Sequence, residues 1–333
     1  MIRPYNRESP NQTGMSDEPA KLSNPFSTGG GGHNFENSVQ SAFVVLMLSG
    51  GIVPCLPALP IKQIILQGKY AGYDTDDFIV FVESQDGKKK AKLLAQIKHS
   101  ISFTENDQVF GEVIQSAWSD FQNNKIFDRE TDAIAVITGP LSAHDIENTR
   151  VVLERARHSP TVQDFLDQMN LAKFSSDTQR KKLEAFRTQL KAANKGVDVA
   201  DEQLWKFLNC FHMLGFDLDI KSGVTLSLLN SHIAQFKCGD VTGVWAKIAK
   251  EVASFNQNAG TITLEKISKE IKVAFSEHAP VSHIPKEFLK ELEAKQPADF
   301  SKGEFPNTIA LASLLGSWNE KANGDMEIIK RLF

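Results

Sequence analysis

Hydrophobic positions along the chain follow two periods, one of two residues and one near 3.6. Short runs rich in β-branched and aromatic residues predict four strands, over 61–66, 77–83, 92–98 and 132–138. Apolar positions spaced three and four residues apart predict two helices, over 35–48 and 107–121. Strands interleaved with helices in this way indicate an α/β fold, with a mixed sheet flanked by helices.

Helical spacing dominates after about residue 143, as in the segments 145–159, 177–194 and 201–216. This change predicts an α/β core over 33–160 followed by an all-helical domain over 161–333. Residues 1–32, which are rich in Asn, Ser, Pro and Gly and end in a glycine tetrad, are typical of a disordered leader. A further helical pattern over 308–333 ends on an apolar Leu-Phe without a terminal loop, which suggests the N-terminal fragment of a longer protein, with a complete small protein as the alternative.

Polar residues gather at one end of a predicted hairpin. The runs 78–82 and 92–98 flank the turn sequence SQDGKKK, whose D-G pair favours a hairpin connection. Asp77 precedes the first run, and Gln96 and Lys98 share a face of the second because they are two residues apart. These three side chains are therefore expected to converge at one end of the sheet.

The types of residue at this end suit metal-dependent cleavage of a phosphodiester. Glu36, at the start of the helix that is expected to pack on the sheet, brings a second carboxylate. Glu36, Asp77 and the Gln96 carbonyl offer the hard oxygen ligands that Mg²⁺ prefers, and Mn²⁺ is an alternative. The Lys98 ammonium can hold the attacking water and offset negative charge in the transition state, and the neutral amine of the same side chain can deprotonate that water. Asp76 is the alternative to Asp77 as ligand.

The order of these residues resembles a known family. A Glu on the first helix, an Asp at the head of a strand and then Q-x-K is similar to the variant active site of Mrr-like PD-(D/E)xK endonucleases. The segments 29–51, 65–81 and 95–121 resemble the double-stranded-DNA endonuclease domain of anti-phage effectors, namely CD-NTase-associated nucleases and Avs-type STAND NTPases. The resemblance covers roughly residues 29–160.

The resemblance implies a restriction-endonuclease-like fold and a Mg²⁺-dependent endonuclease that acts in anti-phage defence. It also implies Glu36 and Asp77 as metal ligands, Gln96 as the third residue on the ligand side and Lys98 as the catalytic lysine. Many members of the superfamily have an acid in place of Gln96, which leaves the choice between one and two metals open. Double-stranded DNA is the expected substrate, and self-association through the helical region or a downstream NTPase is the expected means of activation.

Two other functions remain open at this point. The chain could be a catalytically idle scaffold that uses a nuclease-like fold to bind DNA or a partner. Alternatively, the helical half could sense a nucleotide second messenger through aromatic residues such as Trp205, Phe207, Phe211 and Trp245. Helical spacing favours a core position for these rings.

Charge and cysteine content limit the remaining possibilities. The net charge of −4 provides no overall basic surface. Contact with phosphate would therefore depend on local runs at 88–92, 155–158 and 180–182, of which the first is expected beside the site. Three cysteines without a C-x-x-C pair argue for a reducing cytoplasm, and the longest apolar run, 42–53, is too short to span a membrane.

Overall fold

A six-stranded mixed sheet lies between two layers of helices. The computed structural model describes residues 30–278 except Lys221 and Lys237, and it gives side chains from Asn34 onward. The strand order across the sheet is β5-β4-β3-β2-β1-β6. The strands are β1 (Ile61–Leu66), β2 (Phe78–Glu83), β3 (Lys90–Ile97), β4 (Ala133–Thr138), β5 (Phe211–Gly215) and β6 (Thr261–Ile262).

Most of the described chain outside the sheet is helical. A 3₁₀ turn at Gly68–Ala71 follows β1, and a π-helical segment at Asp145–Arg150 leads directly into α3. The α-helices are α1 (Gly30–Ser49), α2 (Gln108–Gln122), α3 (Val151–His158), α4 (Val162–Asn170), α5 (Asp177–Ala193), α6 (Asp201–Cys210), α7 (Val224–Ala234), α8 (Val241–Gln257) and α9 (Lys269–Ala274). Side-chain caps begin several of these helices, including Asp107 for α2 and Asp240 for α8.

The predicted hairpin is present. Strands β2 and β3 pair in antiparallel fashion, with Phe78 opposite Ala95 and Glu83 opposite Lys90. Strand β1 pairs with β2 in antiparallel fashion, whereas β3, β4 and β5 run parallel. All four predicted strands and both predicted helices occur within a few residues of their expected bounds. The prediction of an α/β fold with a helix-flanked mixed sheet is therefore confirmed.

Each face of the sheet has its own apolar core, because alternate strand residues point to opposite sides. On one face, β-strand residues such as Val80 and Leu93 pack with α1, α7 and α8. On the other face, residues such as Ile79 and Leu94 pack with the helices from α2 to α6. Phe207 and Phe211 are fully buried in this second core, so the expectation of core positions for these two rings is confirmed.

The expectation of an all-helical segment from residue 161 is wrong. Strands β5 and β6 both come from that segment and form the two outer strands of the same sheet. Helical spacing in 201–216 concealed β5, because α6 ends at Cys210 and β5 begins at the next residue, within one continuous apolar run. The described residues up to Glu277 belong to one compact unit.

The predicted leader is also shorter than expected at its C-terminal end, since Gly30, Gly31 and Gly32 belong to α1. The rest of that leader and the helical pattern at 308–333 lie outside the described residues. Among residues 30–278, with the two exceptions above, no helix is both long and apolar enough to cross a membrane.

Candidate functional site

The end of β1, the start of β2 and the end of β3 lie next to one another at one end of the sheet. The register pairs Leu66 at the end of β1 with Phe78 at the start of β2, and it pairs Phe78 with Ala95 near the end of β3. One step further along the hairpin, the same register brings Asp77 opposite Gln96. Residues that lie directly opposite in antiparallel strands share a face of the sheet. Folding of the hairpin therefore brings these two candidate ligands together.

Asp77 connects the two strands through its carboxylate. Its Oδ2 atom accepts a hydrogen bond from the backbone N–H of Ile97, between Gln96 and Lys98. Burial is the largest influence on this carboxyl group and raises its pKa to about 7; the Ile97 hydrogen bond opposes the rise, nearby Glu36 adds to it and Lys98 opposes it. Burial thus disfavours the ionised form of the Asp77 carboxyl group, and a bound cation would favour that form.

Glu36 lies at the centre of a group of side-chain amides. Its Oε1 atom accepts hydrogen bonds from Gln40 Nε2 at 3.0 Å, Asn256 Nδ2 at 3.1 Å and Gln67 Nε2 at 3.4 Å. Gln67 Nε2 also donates to Asn256 Oδ1 at 2.9 Å. Gln40 Nε2 also lies 3.3 Å from the Asp77 carbonyl oxygen. These three amides, the Glu36 amide cluster, hold Glu36 in place and link it to the start of β2.

The Gln96 side chain is buried at 7% exposure, and its Oε1 atom has no hydrogen-bond partner within the described residues. A buried amide oxygen without a partner is costly, so a site that leaves one is expected to fill it with water or a cation. Glu36, Asp77 and Gln96 supply two carboxylates and one amide carbonyl, all of them hard oxygen donors of the kind that Mg²⁺ takes. In kind, these donor groups suit a divalent metal.

Lys98 and His99 follow β3 on its exit from the sheet. The Lys98 backbone N–H donates to Ile137 O at 2.9 Å, which extends the β3–β4 pairing by one residue, and the half-buried Lys98 is close enough to lower the pKa of Asp77. His99 Nε2 lies 3.0 Å from Asp219 Oδ2, and the His99 ring meets Phe35 edge-on at 5.3 Å between centroids. The end of β3 is thereby fixed to the first turns of α1, where Glu36 lies.

The two candidate aspartates differ in their contacts. Asp77 bonds to β3 through its carboxylate, and its carbonyl accepts from the Gln67 backbone N–H at 3.2 Å. The Asp76 carbonyl accepts from the Gly68 N–H at 2.5 Å. The negative charge of Asp76 adds to the rise in the pKa of Asp77. Of the two carboxylates, Asp77 is the one in direct contact with the Gln96–Lys98 strand.

The basic run at 88–92 does not lie beside this site. Its residues occupy the turn and first half of β3, at the opposite end of the hairpin from Asp77. Six residue pairs at about 3.4 Å each separate the two ends by about 20 Å. Lys90 pairs with Glu83 at 3.2 Å, and Lys92 pairs with Asp132 at 2.5 Å. The expectation that this run adjoins the site is therefore wrong.

The other two basic runs have structural contacts. Arg155 donates to Gln179 Oε1 at 3.0 Å and contacts the 174–175 turn. Arg157 donates to Phe211 O at 2.8 Å. Lys182 is buried and donates to Phe103 O at 3.0 Å. These contacts occupy Arg155, Arg157 and Lys182, three of the cationic groups that were candidates for phosphate contact.

Sequence reasoning missed the Glu36 amide cluster. Gln40 could have been found, because it lies one helical turn after Glu36 and i,i+4 side chains meet on a helix. Gln67 and Asn256 lie 31 and 220 residues away from Glu36. Only the folded structure brings them to Glu36.

Comparison with known proteins identifies no family for this chain. No family model and no curated protein matches the chain. A receptor of Acinetobacter baumannii, the Cap4 SAVED/CARF-domain containing receptor with the cyclic trinucleotide 3'3'3'-cAAA, is similar at 12% identity and TM-score 0.41, over 70% of this chain and 42% of that one. A second structure of the Acinetobacter baumannii Cap4 SAVED/CARF-domain containing receptor is similar at 11% identity and TM-score 0.42, over 73% of this chain and 45% of that one. The chain thus spans less than half the length of these structures, and TM-scores this low carry no functional information. Within the described residues, no group of three or more His, Cys, Asp and Glu side chains is placed to hold a metal.

Proposed function

We propose that this protein is a metal-dependent endonuclease of the PD-(D/E)xK type that cleaves double-stranded DNA. The observation that supports it most directly is the contact of the Asp77 carboxylate with β3 between Gln96 and Lys98, at the sheet edge that Glu36 also reaches. The sequence resemblance over 29–160 supports a role in bacterial anti-phage defence within the cytoplasm.

Each side chain has a role in this proposal. Glu36, Asp77 and Gln96 would hold Mg²⁺, with Mn²⁺ as a substitute. When bound, the cation would supply positive charge that polarises the scissile phosphate and favours ionisation of water. The Lys98 ammonium orients the attacking water and stabilises the negative charge that builds on the phosphate oxygens. The Ile97 N–H fixes the Asp77 carboxylate, and the Glu36 amide cluster fixes the second carboxylate.

A plasmid assay tests this proposal. Purified protein is incubated with supercoiled and linear plasmid in the presence of Mg²⁺, Mn²⁺ or EDTA. We expect cleavage of both substrates with either metal and no cleavage with EDTA. Cleavage that persists in EDTA would contradict a metal-dependent mechanism. DNA binding without cleavage in every metal would favour the alternative of a catalytically idle scaffold.

The Gln96→Glu variant tests the ligand set without relying on activity. A carboxylate in place of the neutral amide should tighten Mg²⁺ binding by roughly tenfold or more, measured by calorimetry on the protein without DNA. The Gln163→Glu variant is the matched control, because Gln163 lies on α4 on the exposed surface. Equal Mg²⁺ affinity for parent, Gln96→Glu and Gln163→Glu would exclude Gln96 from the ligand set.

We also propose that activity is controlled by assembly. An endonuclease that cuts at many sequences would damage the DNA of its own host, and two domains held side by side could cut both strands. Specific activity should therefore rise with protein concentration and with forced dimerisation, whereas a dilute monomer should be weakly active. Light scattering and plasmid cleavage over one concentration series check this. Full activity in a sample that stays monomeric would rule out assembly control.

A further inference from the structure

An open pocket of about 560 Å³ adjoins the candidate site on the side of β1. Two of its lining residues, Gln67 and Asn256, belong to the Glu36 amide cluster, so the pocket and the Glu36 carboxylate share this amide pair. The full lining is Gln67, Tyr70, Asn256, Gln257, Asn258 and Ala259.

The backbone holds the two walls of the pocket together. The Leu66 N–H at the end of β1 donates to Gly260 O at 3.0 Å, and Ile64 pairs with Ile262 in β6. Two lining residues, Gln67 and Ala259, adopt left-handed backbone conformations at φ 55° and 47°. Residues other than glycine seldom adopt this conformation, and they keep it only where the surroundings enforce it. The pocket is therefore formed before any ligand enters it.

The chemistry of the lining is that of a surface for a nucleobase. All six lining side chains are uncharged, and four of them are amides. Gln67 and Asn256 use their amides within the Glu36 amide cluster, and Asn258 Nδ2 donates to Ser254 O at 2.8 Å. The donors and acceptors that remain for a ligand include the Gln257 amide and Asn258 Oδ1. Amides of Asn and Gln match the edges of bases. Tyr70 is 86% exposed, so its ring presents a face on which a base can stack. A surface built for phosphate alone would instead require cationic groups.

We propose that this pocket binds one base of the DNA substrate next to the scissile phosphate, with the base stacked on Tyr70 and its edge facing Gln257 and Asn258. The inference rests on the proposed nuclease function and adds a substrate subsite to it. A base in this pocket contacts the amide pair that holds Glu36, so the identity of the base affects how the carboxylate is held. Cleavage should therefore favour particular bases at one position beside the cut.

Two measurements on the full chain test the subsite. Fluorescence anisotropy with a labelled duplex in Ca²⁺ measures binding, and sequencing of the ends produced from plasmid in Mg²⁺ measures base preference. We expect Tyr70→Ala to weaken binding by about 5- to 100-fold, which is the range for loss of one stacked base. Tyr70→Phe should bind like the parent, since it keeps the ring. Phe174→Ala removes an aromatic ring that is 56% exposed on the connection between α4 and α5, and it should change nothing.

The base preference at the cut ends should be lost in Tyr70→Ala and Gln257→Ala and kept in Phe174→Ala. Unchanged affinity and unchanged ends in Tyr70→Ala would overturn the subsite even if the parent cleaves DNA. If the parent fails to cleave with any metal but its binding to DNA depends on Tyr70, the proposed nuclease function fails and the base pocket stands. The two proposals can therefore fail separately.

Discussion

Asn256, in the last turn of α8, donates a hydrogen bond from its side-chain amide to Glu36 on α1 at 3.1 Å. The two residues are 220 positions apart in the chain, yet both border the edge where β1 ends and β2 begins. The candidate site is therefore not confined to the segment that resembles a nuclease domain. Its geometry depends on a helix that the sequence assigned to a different part of the protein.

Replacement of Asn256 by Ala should weaken both the fold and the site. Asn256 is buried, and hydrogen bonds to a charged group contribute about 1.5–3 kcal/mol each, so the free energy of unfolding should fall by about 1–3 kcal/mol. DNA cleavage should fall by roughly tenfold or more, as it does when a residue that orients a metal ligand is lost. Urea unfolding and plasmid assays check these effects. Asn148→Ala, which removes an amide that bonds within its own helical turn, is the control.

Replacement of Lys98 by Ala should reduce the rate of DNA cleavage by at least about 100-fold, because it removes a positive charge aimed at the transition state. The fold should be retained, as judged by circular dichroism and thermal unfolding. Lys62→Ala removes an exposed lysine from β1 of the same sheet and should leave the rate unchanged. A Lys98→Ala protein as fast as its parent would refute the active-site assignment.

The Asp76→Asn and Asp77→Asn variants should differ sharply. Asp77→Asn removes the charge of a proposed metal ligand and should lower cleavage by about 100-fold or more. Asp76→Asn should remain within a few-fold of the parent, because Asp76 contacts the site through its backbone carbonyl. Single-turnover rates at saturating Mg²⁺ make the comparison. The reverse order of activities would identify Asp76 as the ligand.

Stability should depend on pH through Asp77. The pKa of Asp77 in the folded protein is about 7, well above its ordinary value of 3.8, so the folded state binds this proton more tightly than the unfolded state does. The resulting stabilisation is complete below the ordinary value and is lost as the pH rises through about 7. Between about pH 5 and pH 8, the parent should therefore lose more unfolding free energy than Asp77→Asn does, as measured by urea titration.

Mg²⁺ provides a second check on the same carboxylate. A cation competes with the proton for Asp77, so added Mg²⁺ should raise the melting temperature more at about pH 8 than at about pH 5. The Asp77→Asn variant should lose most of this effect. A Mg²⁺ response that is equal at both pH values, or unchanged in the variant, would indicate a cation bound elsewhere.

Local sequence signals were sufficient for strands β1 to β4 and for the pairing of β2 with β3. The D-G turn and the alternating pattern predicted the β2–β3 hairpin, and its register accounts for the approach of Asp77 to Gln96. The same signals misplaced Lys88–Lys92, because the site and this run lie at opposite ends of one hairpin. Strand β6 has only two residues, so it carries no period of its own, and β5 lies inside a helical apolar run. Each of these two strands forms by pairing with a strand that is distant in sequence, β5 with β4 and β6 with β1.

The order of the strands in the sheet affects the nascent chain during synthesis. Strands β4 and β1 acquire their outer neighbours, β5 and β6, only after most of the described chain has been synthesised. Until then a nascent chain presents two open strand edges, one of them, β4, built entirely of residues that are buried in the finished fold. Such edges invite pairing with other chains, so we expect ribosome-bound intermediates to need chaperone protection. The hydrogen bond from Asn256 to Glu36 likewise forms only after α8 has been synthesised, so a polypeptide still being translated would lack the complete candidate site.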